Sequence, residues 1–183
     1  MSPTLILVIV VVAVAAWAIL AYNRFVTLRN RSAEAWSDVE VQMKRRYNLI
    51  PNLVETVKAY AKHESSTFEM VTKARGAAMG ASTLAEHATA ENMLSSTLKS
   101  LFAVSEAYPD LKANQNFLQL QDELRDAEDK IQASWRFYNS NVRDYNTALQ
   151  HFPGNLIGGV FHFTTKEFFE LTEADAAARE VPK

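Results

Sequence analysis

The sequence predicts an all-α protein in which an N-terminal transmembrane helix precedes an antiparallel bundle of long helices. Three observations support this fold class. The chain has only five glycines and five prolines among 183 residues, well below average usage of about 12% for the two together, so few residues are suited to turns. Residues 4–22 carry no charged side chain. Beyond them, apolar residues recur at spacings of three and four, the period of an amphipathic helix.

The uncharged segment 4–22 is the first predicted element. Its length at ~1.5 Å per residue is roughly 28 Å, close to the thickness of the hydrocarbon core of a bilayer. A cleavable secretory signal begins with basic residues, whereas no Lys or Arg precedes this segment. We therefore expect residues 1–22 to be a retained membrane anchor. A cleaved signal is the alternative, since Ala13 and Ala15 weakly resemble a cleavage site.

Basic residues follow the anchor directly. Arg24, Arg29 and Arg31 precede the first acidic residue, Glu34. By the positive-inside rule, we expect a single-pass protein with a short N-terminus outside and the bundle in the cytoplasm. The same three arginines are the residues that we expect to face anionic lipid.

The first long helix is predicted to continue from the anchor to the region between Gly76 and Gly80. Pro51 interrupts this stretch and predicts a kink, with a turn capped by Asn48 as the alternative. The apolar positions that define the helix are Trp36, Val39, Met43, Ile50, Leu53, Val57, Tyr60, Phe68 and Val71.

Two further helices are predicted by the same spacing. The second runs from about Thr83 to Ala107 and is stopped by Pro109. The third has the most regular pattern in the chain and is expected to line a bundle core. Its apolar positions are Phe117, Leu120, Leu124, Ala127, Ile131, Trp135, Tyr138, Val142, Tyr145 and Leu149.

The composition changes at Phe152, where three of the five glycines and five of the ten phenylalanines follow within 18 residues. We expect a flexible, aromatic segment and then a short helix starting at Thr164 or Thr165. The predicted domains are therefore an anchor over 1–22, a helical bundle over 23–170 and a flexible tail over 171–183.

The residue types argue against catalysis. The chain has no cysteine, which removes thiolate metal sites and cysteine nucleophiles. None of the four histidines follows a glutamate by three residues, as the di-metal helix bundles require. The sequence also has no Gly-x-Ser-x-Gly elbow. We therefore expect no enzyme, no catalytic residue, no cofactor and no metal.

Charge is distributed unevenly along the chain. Residues 23–62 hold eight Lys or Arg against four Asp or Glu, whereas residues 63–183 hold eleven against seventeen. The overall charge of −2 gives no general attraction to nucleic acid. Lys44, Arg45 and Arg46 form a basic cluster about 33 Å along the helix from the bilayer, beyond the Debye length of ~8 Å. For this cluster we expect salt bridges or subunit contacts in preference to lipid.

Two other groups are candidate subunit contacts. Asn139 and Asn146 lie seven residues apart beside the apolar positions of the third helix, where buried polar residues can fix register and oligomeric state. Hydrogen bonding within one bundle is the alternative. The second group consists of Phe161, Phe163, Phe168 and Phe169.

These phenylalanines either cap the open end of the bundle or dock on a neighbouring subunit, because the glycines beside them let the backbone pack closely. If three long helices run up, down and up, the third ends far from the protein's own anchor. Insertion of this segment into lipid is then not expected.

Together these residues resemble the LemA family of bacterial membrane-anchored proteins. The resemblance rests on Tyr22-Asn23, Ala35-Trp36, the stretch from Arg46 to Val54, His63-Glu64, Ala74-Arg75, Asn116 to Leu124, Glu128 to Ile131, Tyr138-Asn139, Tyr145-Asn146 and Phe152 to Asn155. It covers nearly the whole chain. It implies a bundle of long antiparallel helices at the bacterial inner membrane. A relative takes part in forming magnetosome membranes, and the family supplies no established catalytic residues.

From these observations we expect a non-enzymatic scaffold that self-associates and organises or curves the membrane. The alternative is an adaptor for a membrane protease or another envelope-stress component. The expected partners are the lipid bilayer and further copies of the chain, with a membrane protein as the alternative partner and no nucleic acid.

Overall fold

A computed structural model of the chain describes residues 2–169 and confirms the all-α fold. Within these residues the structure has no strand. Its helices are α1 (Pro3–Tyr60), α2 (Ser65–Gly80), α3 (Leu84–Ser105), α4 (Pro109–Lys112), α5 (Gln115–Gln150) and α6 (Gly154–Val160). The tail predicted over 171–183 lies outside the described residues.

The chain divides into two compact units. Of the described residues, unit 1 contains 2–37 and 137–168, and unit 2 contains 38–136 and 169. Helices α1 and α5 contribute residues to both.

Unit 1 is an antiparallel pair formed by α1 and α5, with α6 packed at one end. The Trp36 and Tyr138 rings meet edge to face, with centroids 5.3 Å apart. Phe25, earlier on α1, packs with Tyr145, later on α5, so the two helices run in opposite directions. Among residues 2–169, α1 alone is long and apolar enough to cross a membrane, and no residue of its most apolar stretch is buried.

In unit 2, α2 packs against α3, and α3 contacts α4. Hydrogen bonds and ion pairs connect the later part of α1 to α2, α3 and the earlier part of α5. The core of unit 2 contains most of the apolar positions that the helical spacing predicts, including Trp135, which is 3% exposed. The predicted position Tyr60 is exposed instead, and Leu111, which was not predicted, is buried. The α3 helix begins as predicted, because the Thr83 hydroxyl accepts from the Glu86 N–H in a capping box. The most deeply buried apolar side chains are Val39, Met43, Ile50, Leu53, Val57, Leu94, Leu101, Leu111 and Ile131.

The prediction that the first helix continues to Gly76 or Gly80 is wrong. α1 ends at Tyr60, and residues 61–64 form a turn in which the Glu64 N–H donates to Ala61 O. The break coincides with the eight-residue gap between Tyr60 and Phe68 in the apolar pattern. Ending α1 here lets α2 fold back, so that Arg75 Nε donates to Tyr47 O.

Of the two prolines with a predicted role, only Pro109 behaves differently from the prediction. Pro51 lies inside α1, so the alternative of a turn capped by Asn48 is wrong. Pro109 does not end α3, which stops at Ser105; it occupies the start of α4. That position suits proline because the first N–H groups of a helix have no intrahelical acceptor.

The turn at residues 61–64 was not predicted, and it changes the direction in which α5 runs along α1. α5 runs back along α1, so Ile157 of α6 packs on Phe25, just beyond the apolar segment. The prediction that this region lies far from the anchor is therefore wrong. The short helix expected from Thr164 or Thr165 is also absent from residues 164–169, which have no regular secondary structure.

Candidate functional site

An aromatic cluster surrounds α1 where its apolar segment ends. The Tyr22 ring lies 4.8 Å from that of Phe161 and 5.6 Å from that of Phe163, centroid to centroid. Phe163 also contacts Phe25, with centroids 5.4 Å apart. Phe25 is 2% exposed and forms a small core with Tyr145 and other side chains of unit 1. The cluster thus joins α1, α5 and the segment after α6.

Basic side chains border this cluster. The guanidinium carbon of Arg29 lies 5.6 Å from the centroid of the Phe163 ring, within the range of a cation–π contact. Arg24, Arg29 and Arg31 are all exposed. The three arginines predicted to face lipid are therefore open to solvent, and Arg29 lies beside the aromatic cluster.

Side chains of α5 hold the 164–168 segment by hydrogen bonds to its backbone. The Tyr145 hydroxyl donates to Thr164 O at 3.0 Å, and the Tyr138 hydroxyl donates to Glu167 O at 3.1 Å. Burial raises the pKa of Tyr145, which the charge of Arg29 opposes. Burial also raises the pKa of Tyr138. Both hydroxyls therefore stay protonated as donors at neutral pH.

The turn after α6 is a Schellman motif. The Phe163 N–H donates to Gly158 O at 2.9 Å and the His162 N–H donates to Gly159 O at 3.3 Å. His162 has φ of 54°, the left-handed conformation that such a turn requires and that glycine usually supplies. The motif directs Phe163 back onto α1.

A second polar site lies in unit 2 around Arg46, which is 1% exposed. Its guanidinium pairs with the carboxylates of Glu91 on α3 and Glu128 on α5. The Tyr47 hydroxyl donates to Glu91, and Ser95 lies within reach of the guanidinium at 3.5 Å. Arg46 therefore joins α1 to two other helices.

The electrostatics of this network favour a structural role. Burial by itself lowers the pKa of Arg46, but the charges of Glu91 and Glu128 outweigh it, so the pKa lies above its ordinary value. Arg46 thus stays charged, and its two carboxylate partners belong to the same chain. Within residues 2–169, no group of three His, Asp or Glu side chains is placed to hold a metal ion.

The basic cluster predicted at 44–46 separates in the structure. Lys44 is exposed, whereas Arg45 forms a 2.6 Å ion pair with Asp126 and Arg46 is buried. Hydrogen bonds from Lys130 and Arg45 lower the pKa of Asp126. The salt-bridge expectation is met for Arg45 and Arg46, and a subunit contact stays a prediction.

The other candidate contacts have mixed environments. Asn146 is 8% exposed and bonds to Lys166 of its own chain, while Asn139 is half-buried on α5. Phe169 is buried and stacks on Trp135, with centroids 4.8 Å apart. The remaining phenylalanines are half-buried or exposed: Phe163, Phe161 and Phe168.

Glu91 and Glu128 were missed by the sequence analysis, although a signal was present. Each lies at a core position of its helix, Glu91 three residues before Leu94 and Glu128 four residues after Leu124. Arg46 likewise lies at a core position of α1, three residues after Met43. Opposite charges at the core positions of different helices indicate a buried ion-pair network.

Comparison with known proteins settles the family. The family model described as "LemA family" matches residues 35–183. This chain belongs to the LemA family. The similarity to the relatives described next covers most of this LemA-family chain and more than two thirds of each relative.

The relatives carry two names. "Magnetosome protein MamQ 2" of Paramagnetospirillum magneticum is 27% identical over 189 residues, covering 89% of this chain and 70% of the relative. "Magnetosome protein MamQ" of Magnetospirillum gryphiswaldense is 25% identical over 188 residues, covering 88% and 69%. "Protein LemA" of Metamycoplasma hominis is 25% identical over 157 residues, covering 84% of this LemA-family chain and 70% of the relative.

Proposed function

We propose that this LemA-family protein is a non-enzymatic scaffold of the bacterial inner membrane that self-associates and organises or remodels the bilayer. The observation that carries the proposal is the continuity of α1. The helix passes without a break from its apolar segment to Phe25 and Trp36, which pack against α5.

A helix without a linker couples an anchor rigidly to what it carries. A tethered enzyme needs only a flexible connection, since it acts on substrates that diffuse to it. A protein that shapes a membrane must transmit force, and packed helices do so because their interiors deform little. The unbroken helix therefore favours a scaffold.

The exposed arginines support cytoplasmic placement of the bundle. Arg24, Arg29 and Arg31 follow the apolar segment, as the positive-inside rule requires of a cytoplasmic flank. Each adds about 1 kcal/mol of attraction to an anionic leaflet when it lies near the surface. Kinship with proteins named magnetosome proteins fits a role in organising membranes.

The scaffold hypothesis is tested by imaging single particles of the full chain in detergent and after reconstitution into vesicles of phosphatidylethanolamine and phosphatidylglycerol. Closed rings or cages in detergent, with tubes or uniformly small vesicles after reconstitution, are the expected results. A monodisperse monomer that leaves vesicles unchanged contradicts the proposal.

Orientation is tested with single cysteines, because the chain has none of its own. In intact spheroplasts, a membrane-impermeant maleimide should label Ser2→Cys and leave Glu34→Cys unlabelled until the membrane is opened. The reverse labelling pattern contradicts the cytoplasmic placement.

An adaptor for a membrane protease or another envelope-stress component is the second candidate. It is favoured by an open cleft of about 550 Å³ between α2 and α3, lined by Ala77, Ala81, Ala85 and Met93. Exposed methionine adapts to different partner surfaces. Copurification of a stoichiometric membrane protein that is lost in Met93→Lys would favour this role over the scaffold.

A further inference from the structure

Four apolar side chains at α6 are exposed together, and we call them the α6 patch: Phe152, Leu156, Val160 and Phe161. We propose that α6 lies along the membrane surface and that the α6 patch inserts among the lipids, as a second membrane contact beside the anchor. This inference rests on the membrane anchoring in the proposed function.

The exposure of the α6 patch needs an explanation. The fractions exposed are 79% for Phe152, 57% for Leu156, 70% for Val160 and 52% for Phe161. Large apolar side chains that lie together on a surface mark a contact with another apolar phase or protein. Seven-residue α6 is too short to span a bilayer, so its contact with lipid would be at the interface.

The opposite side of α6 is fixed to the protein. Ile157 is buried against Phe25 and Leu149, and Gly158 is buried beside it. A Cβ atom on Gly158 would lie 2.9 Å from a Leu149 methyl carbon. α6 therefore packs tightly by one side, which fixes the position of the α6 patch relative to α1.

The depth of the α6 patch follows from its contacts with α1. A cleft of about 360 Å³ is lined by Trp17 and Leu20 of the apolar segment and by Phe152. Trp17 lies five residues before Tyr22, about 7.5 Å along the helix inside the end of that segment. A side chain beside Trp17 is thus at the level of lipid whenever the segment spans the bilayer.

The far end of the α6 patch is also at that level. The Phe161 ring lies 4.8 Å from Tyr22, the last residue of the uncharged segment. Aromatic side chains are enriched at the depth of lipid headgroups. Arg24, which lines the same cleft as Phe152, is the charge expected among those headgroups. The position of the α6 patch beside the anchor is therefore enough to bring it into contact with lipid. Contact with a second copy would require a complementary surface as well.

The test uses the full chain in vesicles of phosphatidylethanolamine and phosphatidylglycerol, with an environment-sensitive fluorophore on single cysteines. Leu156→Cys and Val160→Cys probe the α6 patch. Val11→Cys in the apolar segment is the lipid reference. Phe137→Cys is the water reference, since Phe137 is 58% exposed on α5, about 21 Å along that helix from His151.

We expect both α6 labels to show blue-shifted emission, to resist quenching by iodide and to be quenched by nitroxide lipids. A nitroxide near the headgroup should quench them more than one near the acyl end, because an interfacial helix sits about 5–10 Å deep. Circular dichroism of each variant checks that the fold is retained.

Three results would overturn the proposal, and each has a distinct meaning. Water-like α6 labels with a lipid-like Val11→Cys label would leave the anchor intact and remove only this inference. A water-like Val11→Cys label would remove the anchor as well. α6 labels shielded from both iodide and nitroxide lipids would show that the patch is covered by protein, such as a second copy.

Discussion

The side-chain amide of Asn146 pairs with both backbone groups of Lys166. Its Nδ2 donates to Lys166 O at 2.8 Å, and the Lys166 N–H donates to its Oδ1 at 2.9 Å. This arrangement satisfies backbone groups of the 164–168 segment, which has no regular secondary structure to do so. Together with the hydroxyls of Tyr138 and Tyr145, it explains why the segment stays against α5 without forming a helix.

The Asn146→Asp variant should loosen the 164–168 segment. The aspartate carboxylate can still accept from the Lys166 N–H, but it has no N–H to donate to Lys166 O. Leaving this carbonyl without a donor costs about 1–3 kcal/mol of stability. We expect faster trypsin cleavage after Lys166 in the full chain. Asn155→Asp, on the exposed side of α6, is the control and should not change the rate. An unchanged rate in Asn146→Asp would show that the pairing does not hold the segment.

The Arg46→Met variant should strongly destabilise unit 2. It leaves Glu91 and Glu128 buried without their shared cation, and breaking a buried ion pair on one side costs about 3–5 kcal/mol. Denaturant unfolding followed by tryptophan fluorescence measures this loss. Lys44→Met, two residues away and exposed, should change stability by less than about 0.5 kcal/mol. Equal stability of the two variants would contradict the role of the network.

Two glycines of α6 should respond in opposite ways to alanine. A Cβ atom on Gly154 would lie 2.9 Å from Ala148 O and 3.2 Å from Phe25 Cζ, whereas one on Gly159 meets nothing within 4 Å. Gly154→Ala should destabilise α6 by about 1–3 kcal/mol through overpacking. Gly159→Ala should stabilise it by about 0.5–1 kcal/mol. Hydrogen exchange of the α6 amides reports both effects, and slower exchange in Gly154→Ala would be inconsistent with the packing described.

The start of α3 should lose stability in acid. Hydrogen bonds from the Ser82 N–H, the Ser82 hydroxyl and the Thr83 N–H lower the pKa of Glu86 from 4.5 to about 2. Because the folded pKa is depressed, this contribution is complete above about pH 4.5 and is lost as the pH falls towards 2. Hydrogen exchange of the first turn of α3, corrected for the intrinsic rate, should show the loss.

The matching control for this pH dependence is Glu86→Gln, which removes the titrating group. The acid-dependent change in protection at the first turn of α3 should disappear in this variant, whereas Glu55→Gln, on the exposed side of α1, should retain it. Persistence of the full change in Glu86→Gln would assign it to another group.

The long helices of this protein could be predicted because their signals are repeated. In α5 an apolar residue recurs at every third or fourth position from Phe117 to Leu149, and each turn of the helix provides an independent observation. The start of α3 was predicted at Thr83, and Thr83 is its N-cap residue. The predicted core residue Trp135 is buried accordingly.

The turn at 61–64 and helix α6 were not predicted, for different physical reasons. The turn contains neither glycine nor proline, and its only signal was the missing apolar position between Tyr60 and Phe68. α6 is seven residues long, too short for a period to appear, and its three glycines suggested flexibility. Its position depends on packing against Phe25, a contact more than 120 residues away in sequence.

The continuity of α1 limits how the anchor can respond to its surroundings. A lone transmembrane helix meets a mismatch in bilayer thickness by changing its tilt. Here Ala18 and Ala21, inside the apolar segment, pack against the cluster formed with α5 and α6, so tilting the segment would require tilting all of unit 1. A difference between the anchor length and the bilayer thickness must then be met by the lipid, which thickens or thins around the protein. Such a protein should partition into membrane regions whose thickness already matches its anchor.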